Sequence, residues 1–321
     1  MPKNKIQFQV GVSFPEFIKT FGTEDQCSAY LESCKWPNGF KCETCDSDKY
    51  YRYESGSRTI FQCKSCRKNH RLTAGTLFHR TKVPLQKWFL ALHQISQSKN
   101  SVSALELHRH IDVNYKTAWL IKQKIMQMMY EQDSKYKLKG LVEIDDAYLG
   151  GRLEGGKRGR GSENKSPFIA AVETNENRNP VFVKLNPVSS FSYEVIKQWA
   201  IDNLEENCDT ISDGLRGFSA LKEVSNHNVL VTSKAKKEEI ESTFKWVNTI
   251  LSNVKTSISG TFHSLKFEKY GFRYLADLQF RLNRRFELRK MFFGLISKAM
   301  TTSQKPVDYL NASLTDSTLS Q

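Results

Sequence analysis

The sequence predicts an α+β protein of several domains: a small metal-bound ribbon, a helical segment, and a larger mixed-sheet domain. Three observations carry this expectation. Two CxxC pairs stand near the front of the chain, and apolar residues at helical spacing fill the stretch behind them. After residue 138, short apolar strands alternate with helices, and two of the strands run into aspartates. The expected boundaries are 14–80, 81–136 and 138–300. The Ser/Thr-rich stretch 301–321 is expected to lack fixed structure.

A chain of 321 residues is long enough to bury more than one core. Its hydrophobic fraction of 39% and charged fraction of 26% are those of an ordinary globular protein. The charge balance is less ordinary. Lysine and arginine number 48 against 34 aspartates and glutamates, a formal net charge of +14. Such a surplus favours a polyanionic partner, because phosphate-bound counterions are released on association. Charge alone does not distinguish that partner from plain solvent. No run approaches the 18 apolar residues of a membrane span, and the opening residues lack a signal-peptide core. The seven cysteines are an odd number, and four sit in two tight pairs, a usage that fits metal ligation in a reducing cytosol better than a disulfide framework.

The first domain is read from Cys42-Glu-Thr-Cys45 and Cys63-Lys-Ser-Cys66, separated by 17 residues. Each CxxC brings two thiolates to one ion, and four thiolates close the tetrahedral shell of structural zinc. The spacer reads as two strands, through Tyr50, Tyr51 and Tyr53 and through Thr59, Ile60 and Phe61, with Gly56 at the turn. This is the layout of a zinc ribbon. A redox pair would need one CxxC beside a βαβ pattern, which is missing here. Cys27, Cys34 and Cys208 fit no ligand spacing and read as buried thiols. His70 is a conceivable ligand, but four cysteines already complete the shell.

In the helical segment, Leu85, Trp88, Phe89, Leu92 and Ile95 follow Pro84 with the period of an amphipathic helix. Ser103 and Glu106 form the pattern of a capping box that opens a short helix through Leu105, Leu107 and Ile111. After a turn at Asp112-Val-Asn114, a second helix carries Ala118, Trp119, Ile121, Ile125 and Met129 inward, with Lys116, Lys122 and Lys124 expected outward. Short helix, tight turn and basic helix outline a helix-turn-helix DNA reader. A plain helical bundle would show the same pattern.

In the third domain, Leu141–Asp146, Phe168–Val172 and Val181–Leu185 read as strands. A helix is expected over Tyr193–Leu204, a short strand over Asp209–Asp213, and one long helix over Lys237–Ser257. This order fits an RNase H-like mixed sheet flanked by helices. Asp145 and Asp213 each close a predicted strand, where they could share divalent cations. Two such ions roughly 3.5–4 Å apart support in-line displacement at phosphorus, and hard oxygen ligands suit Mg²⁺ or Mn²⁺. Aspartates also end strands simply as turn formers.

A family resemblance separates these readings. The chain contains Glu143-Ile-Asp145-Asp146-Ala-Tyr148-Leu-Gly150-Gly151, Ser212-Asp213-Gly214, Trp246-Val-Asn248 with Lys255, Gly260-Thr-Phe-His263, and Tyr274-Leu-Ala-Asp-Leu-Gln-Phe-Arg281-Leu-Asn283-Arg284-Arg285. These runs, together with Trp36-Pro37-Asn-Gly39-Phe40 and Ala74-Gly75-Thr76, resemble bacterial insertion-sequence transposases. In that family a zinc ribbon leads a DDE-type domain whose third acid is often asparagine. The resemblance covers roughly residues 14–290 with the motifs in order. It implies that Asp145 and Asp213 bind catalytic metal, that Asn248 takes the third ligand position, and that Lys255 holds DNA phosphate near the site. Asn248 and Lys255 are seven residues apart, two helical turns, and so share a face. An amide oxygen coordinates a cation without contributing negative charge. Glu238 and Glu241 are rival third acids that the family frame does not support, and Asp146 reads equally as a supporting or a solvated carboxylate.

Two basic clusters remain. Lys157, Arg158 and Arg160 lie in a glycine-rich stretch that could follow a phosphate backbone or serve only as a linker. Arg281, Arg284, Arg285, Arg289 and Lys290 interleave with Phe280, Phe286 and Phe292, the pattern of a helix packed by its aromatics with a basic face toward DNA. The function expected is DNA transposition in the bacterial cytosol, with double-stranded terminal repeats and target DNA as partners. The protein is expected to act as a homo-oligomer on DNA, with structural Zn²⁺ and catalytic Mg²⁺ or Mn²⁺. No nucleotide cofactor is expected, since a Walker run is absent. The competing readings are a non-catalytic zinc-containing DNA-binding protein descended from such an enzyme, and a structure-specific nuclease.

Overall fold

The computed structural model describes residues 9–56, 58–150, 165–262 and 265–312. The chain forms two compact units, the first from the chain up to Met128 together with Arg285–Leu310, the second from Met129–Arg284. No described helix is long and apolar enough to cross a membrane.

The first unit opens with helices α1 (Phe14–Phe21) and α2 (Glu24–Lys35). Ser13 caps α1, and Thr23 with Gln26 forms a reciprocal capping box on α2, so both helix starts have their orphan N–H groups satisfied locally. Three strands follow, β1 (Tyr50–Ser55), β2 (Arg58–Cys63) and β3 (Asn69–Arg71), in an antiparallel sheet of that order. Gly56, at φ +63°, supplies the left-handed turn between β1 and β2. Trp36, Phe40 and Phe61 form a small aromatic core beneath them, with Trp36 and Phe61 centroids 4.7 Å apart. Helix α3 (Leu85–Gln97) starts directly after Pro84, α4 (Ala104–Ile111) is capped by Ser103, and α5 spans Tyr115–Asp133. Asp112 leaves α4 in the left-handed conformation, so the short-helix, turn, long-helix order is present.

Helix α10 (Leu288–Thr301) packs on α2 and α3. Although the sequence groups it with the mixed-sheet domain, its Phe292 meets Phe17 and Phe21 edge-on, at 6.2 and 5.8 Å. Burying such a ring contributes about 1.5–3 kcal/mol, which is why it joins the first unit. The stretch after 301 also departs from expectation. It contains helix α11 (Val307–Asn311), anchored by buried Leu310, while residues 313–321 lie outside the described residues.

The second unit is a five-stranded sheet of β4 (Leu141–Leu149), β5 (Ser166–Thr174), β6 (Pro180–Pro187), β7 (Asp209–Ser212) and β8 (Asn226–Val229), in the order β6-β5-β4-β7-β8. The first three strands form an antiparallel meander, while β7 runs parallel to β4 and β8 parallel to β7. Helix α6 (Tyr193–Asn203) precedes β7, and a 3-10 helix (Arg216–Glu223) joins β7 to β8. This order and these directions are those of the RNase H-like fold.

Strand alternation divides the core. Val142, Ile144, Ile169 and Ala171 face α6 and the 3-10 helix through Ile196, Trp199 and Phe218. Ala147, Phe168, Ala170 and Val172 face the opposite layer, which is made of α7 (Lys237–Thr243), α8 (Lys245–Thr261) and α9 (Phe267–Asn283). The single helix expected over 237–257 is thus two, interrupted at Phe244, whose ring is buried in the core. Along the edge strand β6, α9 substitutes for a missing neighbour. Gln279 accepts the Leu185 N–H at 2.8 Å, and Asn283 accepts the Val183 N–H at 2.8 Å while donating to its carbonyl at 3.1 Å. These side chains satisfy an edge that would otherwise pair with another chain. The helix expected around Arg281–Lys290 is likewise broken, with α9 ending at Asn283 and α10 beginning at Leu288.

Candidate metal centres

In the first unit, Cys42, Cys45, Cys63 and Cys66 place their sulphurs within 4.8 Å of one another. The two CxxC turns repeat one geometry. The Asp46 N–H donates to the Cys42 carbonyl and the Arg67 N–H to the Cys63 carbonyl, with Asp46 and Arg67 at φ +57° and +62°. Cys42 and Cys66 sulphurs are 3.6 Å apart, Cys45 and Cys63 sulphurs 3.5 Å apart. A tetrahedral zinc–thiolate site, with bonds near 2.3 Å, sets sulphurs about 3.8 Å apart. The four residues therefore fit zinc. The Cys66 backbone N–H draws the Cys63 thiol down to about 6, while the contact with Cys63 pushes its neighbour Cys45 up to about 12, so the two sulphurs share a proton that a metal would displace. His70 is outside the tetrad but touches it, with buried Nε2 lying 3.3 Å from Cys42 Sγ. The other cysteines lie outside the tetrad: Cys27 and Cys208 are buried, as expected, and Cys34 is half-buried.

In the second unit, carboxylate oxygens of Asp145, Asp146 and Asp213 gather within 4.8 Å of one another. The sequence places Asp145 at a strand tip, whereas β4 continues to Leu149 because its pairing with β5 extends to Leu149↔Ser166. Its pairing with β7 ends at Ile144↔Ser212, so the next residues, Asp145 and Asp213, are neighbours where β7 stops. Open α/β sheets form ligand crevices at such strand ends. The Asp213 carboxylate accepts the Leu215 N–H at 2.9 Å, and Asp145 accepts the Asp146 N–H at 2.9 Å. Burial, followed by the charges of Asp146 and Asp213, pushes the Asp145 carboxyl up to about 7, while Lys255 acts in the opposite sense. Three half-buried carboxylates crowded this closely suit a hard divalent cation, which would relieve their repulsion.

Asp146, left open by the sequence, is thus a member of the cluster. Asn248 and Lys255 are both exposed on α8, the helix that packs on β4 and β5. Glu238 and Glu241 are exposed on α7 and outside the acid cluster. Glu143 is the residue that sequence reasoning passed over. It is 2% exposed, and one carboxylate oxygen accepts the N–H groups of both Trp246 and Val247 at 2.9 Å. Its spacing of two from Asp145 on a strand was the available signal, since it puts both on one sheet face.

The expected DNA-facing residues divide. Lys116 is exposed, and Lys124 is half-buried with Nζ donating to Gln304 at 2.8 Å. Lys122 requires correction: it is 1% exposed, and its ammonium donates to the Val102 carbonyl, so it points into the first unit. Arg284 also requires correction. It is paired with buried Asp133 through bonds of 2.8 and 3.2 Å and stacks on Phe280, a structural engagement that occupies its guanidinium. Arg285 is half-buried over the Phe286 ring. Lys157, Arg158 and Arg160 lie outside the described residues.

Comparison with known proteins follows the same division. Residues 22–69 match the transposase zinc-ribbon domain, and residues 137–283 match the ISXO2-like transposase domain. An uncharacterized protein in transposable element ISH50 of Halobacterium salinarum is 30% identical over 219 residues, 64% of this chain and 72% of that protein. Among solved structures, the Mos1 transposase paired-end complex with left transposon end matches 66% of this chain and 79% of its own, at 10% identity and a TM-score of 0.22. The Mos1 strand transfer complex matches 61% and 75%, at 10% identity and a TM-score of 0.23. At such scores the fold assignment rests on the sheet order instead. With both domain families matched in sequence order and each ligand cluster assembled inside its matched domain, the chain belongs to the insertion-sequence transposases that carry a zinc ribbon ahead of an ISXO2-like transposase domain.

Proposed function

We propose that this protein cuts DNA at the terminal repeats of its element and joins the freed ends to target DNA. The observation that carries this reading is the gathering of Asp145, Asp146 and Asp213 at the end of β7, in an RNase H-like sheet. Divalent cations, Mg²⁺ or Mn²⁺, supply electrostatic activation of the attacking oxygen and of the departing one. Water attacks the phosphorus at the element end and displaces a 3′-oxygen, leaving a 3′-hydroxyl. That hydroxyl then attacks target phosphorus and displaces a second 3′-oxygen, so no nucleotide is consumed.

In this reading Asp145 and Asp213 are the metal-binding pair and Asn248 is the third ligand. Lys255, whose charge is already felt at Asp145, holds a DNA phosphate. Zn²⁺ holds the ribbon through Cys42, Cys45, Cys63 and Cys66. Lys116 faces DNA from α5, and Lys157, Arg158 and Arg160 follow its backbone. Two ends must be processed together, so the working form is a homo-oligomer on DNA.

The test combines full-length protein, a labelled terminal repeat, plasmid target and Mg²⁺ or Mn²⁺, with Asp213→Ala as control. Joined product that disappears in the variant supports the reading. The neutral, exposed Asn248 favours one alternative, a DNA-binding protein without catalysis. Selective repeat binding with no cleavage under any divalent ion would establish that alternative.

A further inference from the structure

Helix α8 begins without a cap of its own. The residue at its N-cap position is Phe244, which offers no side-chain acceptor, and the first turn contains no acidic residue. The first N–H groups of a helix need partners, and leaving them unsatisfied beside a buried core is costly. Here the partner comes from a different element. Glu143, the third residue of β4, is 103 and 104 residues distant in sequence from the two amides it accepts, those of Trp246 and Val247. Both bonds are 2.9 Å and both end on Oε2. A carboxylate at this position also opposes the positive end of the helix dipole.

The consequence concerns distance and register. Glu143 and Asp145 lie two apart on β4, so their side chains leave the same sheet face, the one covered by α8. Asn248 is one residue beyond the second amide that Glu143 holds, and Lys255 follows two turns later. Fixing the start of α8 to β4 thus fixes, on a single strand, the relation between an acid of the cluster and the α8 side chains.

We propose that Glu143 is a positioning residue of the active site, a long-range cap that docks the first turn of α8 onto β4 and so sets Asn248 and Lys255 opposite Asp145. The inference rests on the function proposed above for its catalytic consequence, but the docking itself can be judged without any activity.

The test uses full-length protein with Glu143→Gln, Glu143→Asp and Glu143→Ala. Glutamine keeps an oxygen at the same reach. Aspartate keeps the charge but is one methylene short. Alanine removes the acceptor. Hydrogen exchange should show the Trp246 and Val247 amides exchanging at least about tenfold faster in the alanine and aspartate variants, and close to wild type in the glutamine variant. Terminal-repeat cleavage should fall about 100-fold in the alanine and aspartate variants, the loss that a displacement near 1 Å can cause. Glutamine should recover most of that loss, and repeat binding should be the same in all four proteins.

Unchanged exchange of the two amides in Glu143→Ala would overturn the docking. Altered exchange with undiminished cleavage would overturn the positioning role. Aspartate matching wild type while glutamine resembles alanine would show that charge, not reach, matters, and would also overturn it. If the wild type itself fails to cleave, like Asp213→Ala, the proposed function falls, and the exchange data still decide whether Glu143 docks α8. Should the alanine variant not fold, the glutamine and aspartate pair carries the same contrast.

Discussion

The two ligand clusters of this chain solve opposite problems. In the ribbon, four sulphurs come from two turns of the same backbone geometry, and the strands between them are a simple hairpin. In the sheet, Asp145 and Asp213 come from strands whose residues are 68 apart in sequence, and meet because β4 and β7 pair in parallel with Ile144 opposite Ser212. The first site is nearly all local geometry, with too little apolar core to stand alone. The second is a half-buried cluster at the end of a large core and would persist without its ion. In the proposed reading a metal therefore contributes folding in one unit and chemistry in the other.

The largest effect should come from removing zinc. Structural zinc sites are worth about 10 kcal/mol or more, so a strong chelator, or Cys63→Ser, should abolish amide protection across β1, β2 and β3. Protection in β4 and β5 should survive. Simultaneous loss in both units would show that the sheet also depends on the ribbon's metal.

Next in size is Asp213→Ala or Asp145→Ala, which should lower strand cleavage by at least about a thousandfold, some 4 kcal/mol of barrier. The thermal unfolding temperature of these variants, measured without metal, should not fall. Retained cleavage in either would remove the carboxylate pair from the chemistry.

Asp133 tests a different use of a buried carboxylate in the same unit. It is 3% exposed and receives Arg284 and Asn283. Asp133→Ala should destabilise by about 2 kcal/mol, because the half-buried Arg284 guanidinium and the Asn283 amide lose a charged acceptor, and the effect should appear in denaturant titration rather than in metal binding. Asp145→Asn should do the reverse. With one of three crowded charges removed, the metal-free protein should gain about 1 kcal/mol at neutral pH, and added Mn²⁺ should stabilise it less than wild type. A loss of metal-free stability in Asp145→Asn would contradict the repulsion inferred for the cluster.

The smallest effect separates two lysines that look alike in sequence. Lys116→Ala should weaken DNA binding several-fold and reduce the salt slope by about one. Lys122→Ala should leave that slope unchanged and instead lower stability, because its ammonium satisfies the Val102 carbonyl inside the fold.

These contrasts also show which features were legible in the sequence. The CxxC spacing fixes a thiolate tetrad because two residues are too few to escape one turn, and the hairpin around Gly56 follows from the same local arithmetic. The capped start of α4 at Ser103 was equally local. Helix breaks were not. Phe244 interrupts a run of good helix periodicity because its ring has a place in the core, and Phe292 takes α10 to the first unit for the same reason. Lys122 and Arg284 could not be sorted from their exposed neighbours by charge, since burial of a cation depends on an acceptor far along the chain.

The sequence by itself determined the zinc ribbon, strands β4 to β7 with the helix before β7, helices α3 to α5, and the two aspartates, since each follows from spacing within a few residues or from motifs that stay together. Tertiary structure alone decided that Asp146 completes the acid cluster, that Glu143 caps a helix a hundred residues away, and which basic side chains remain exposed. The physical reason is the range of the interaction. Turns and ligand pairs are set by bonded geometry, whereas burial, capping across elements and crowding of charge exist only once distant segments have paired.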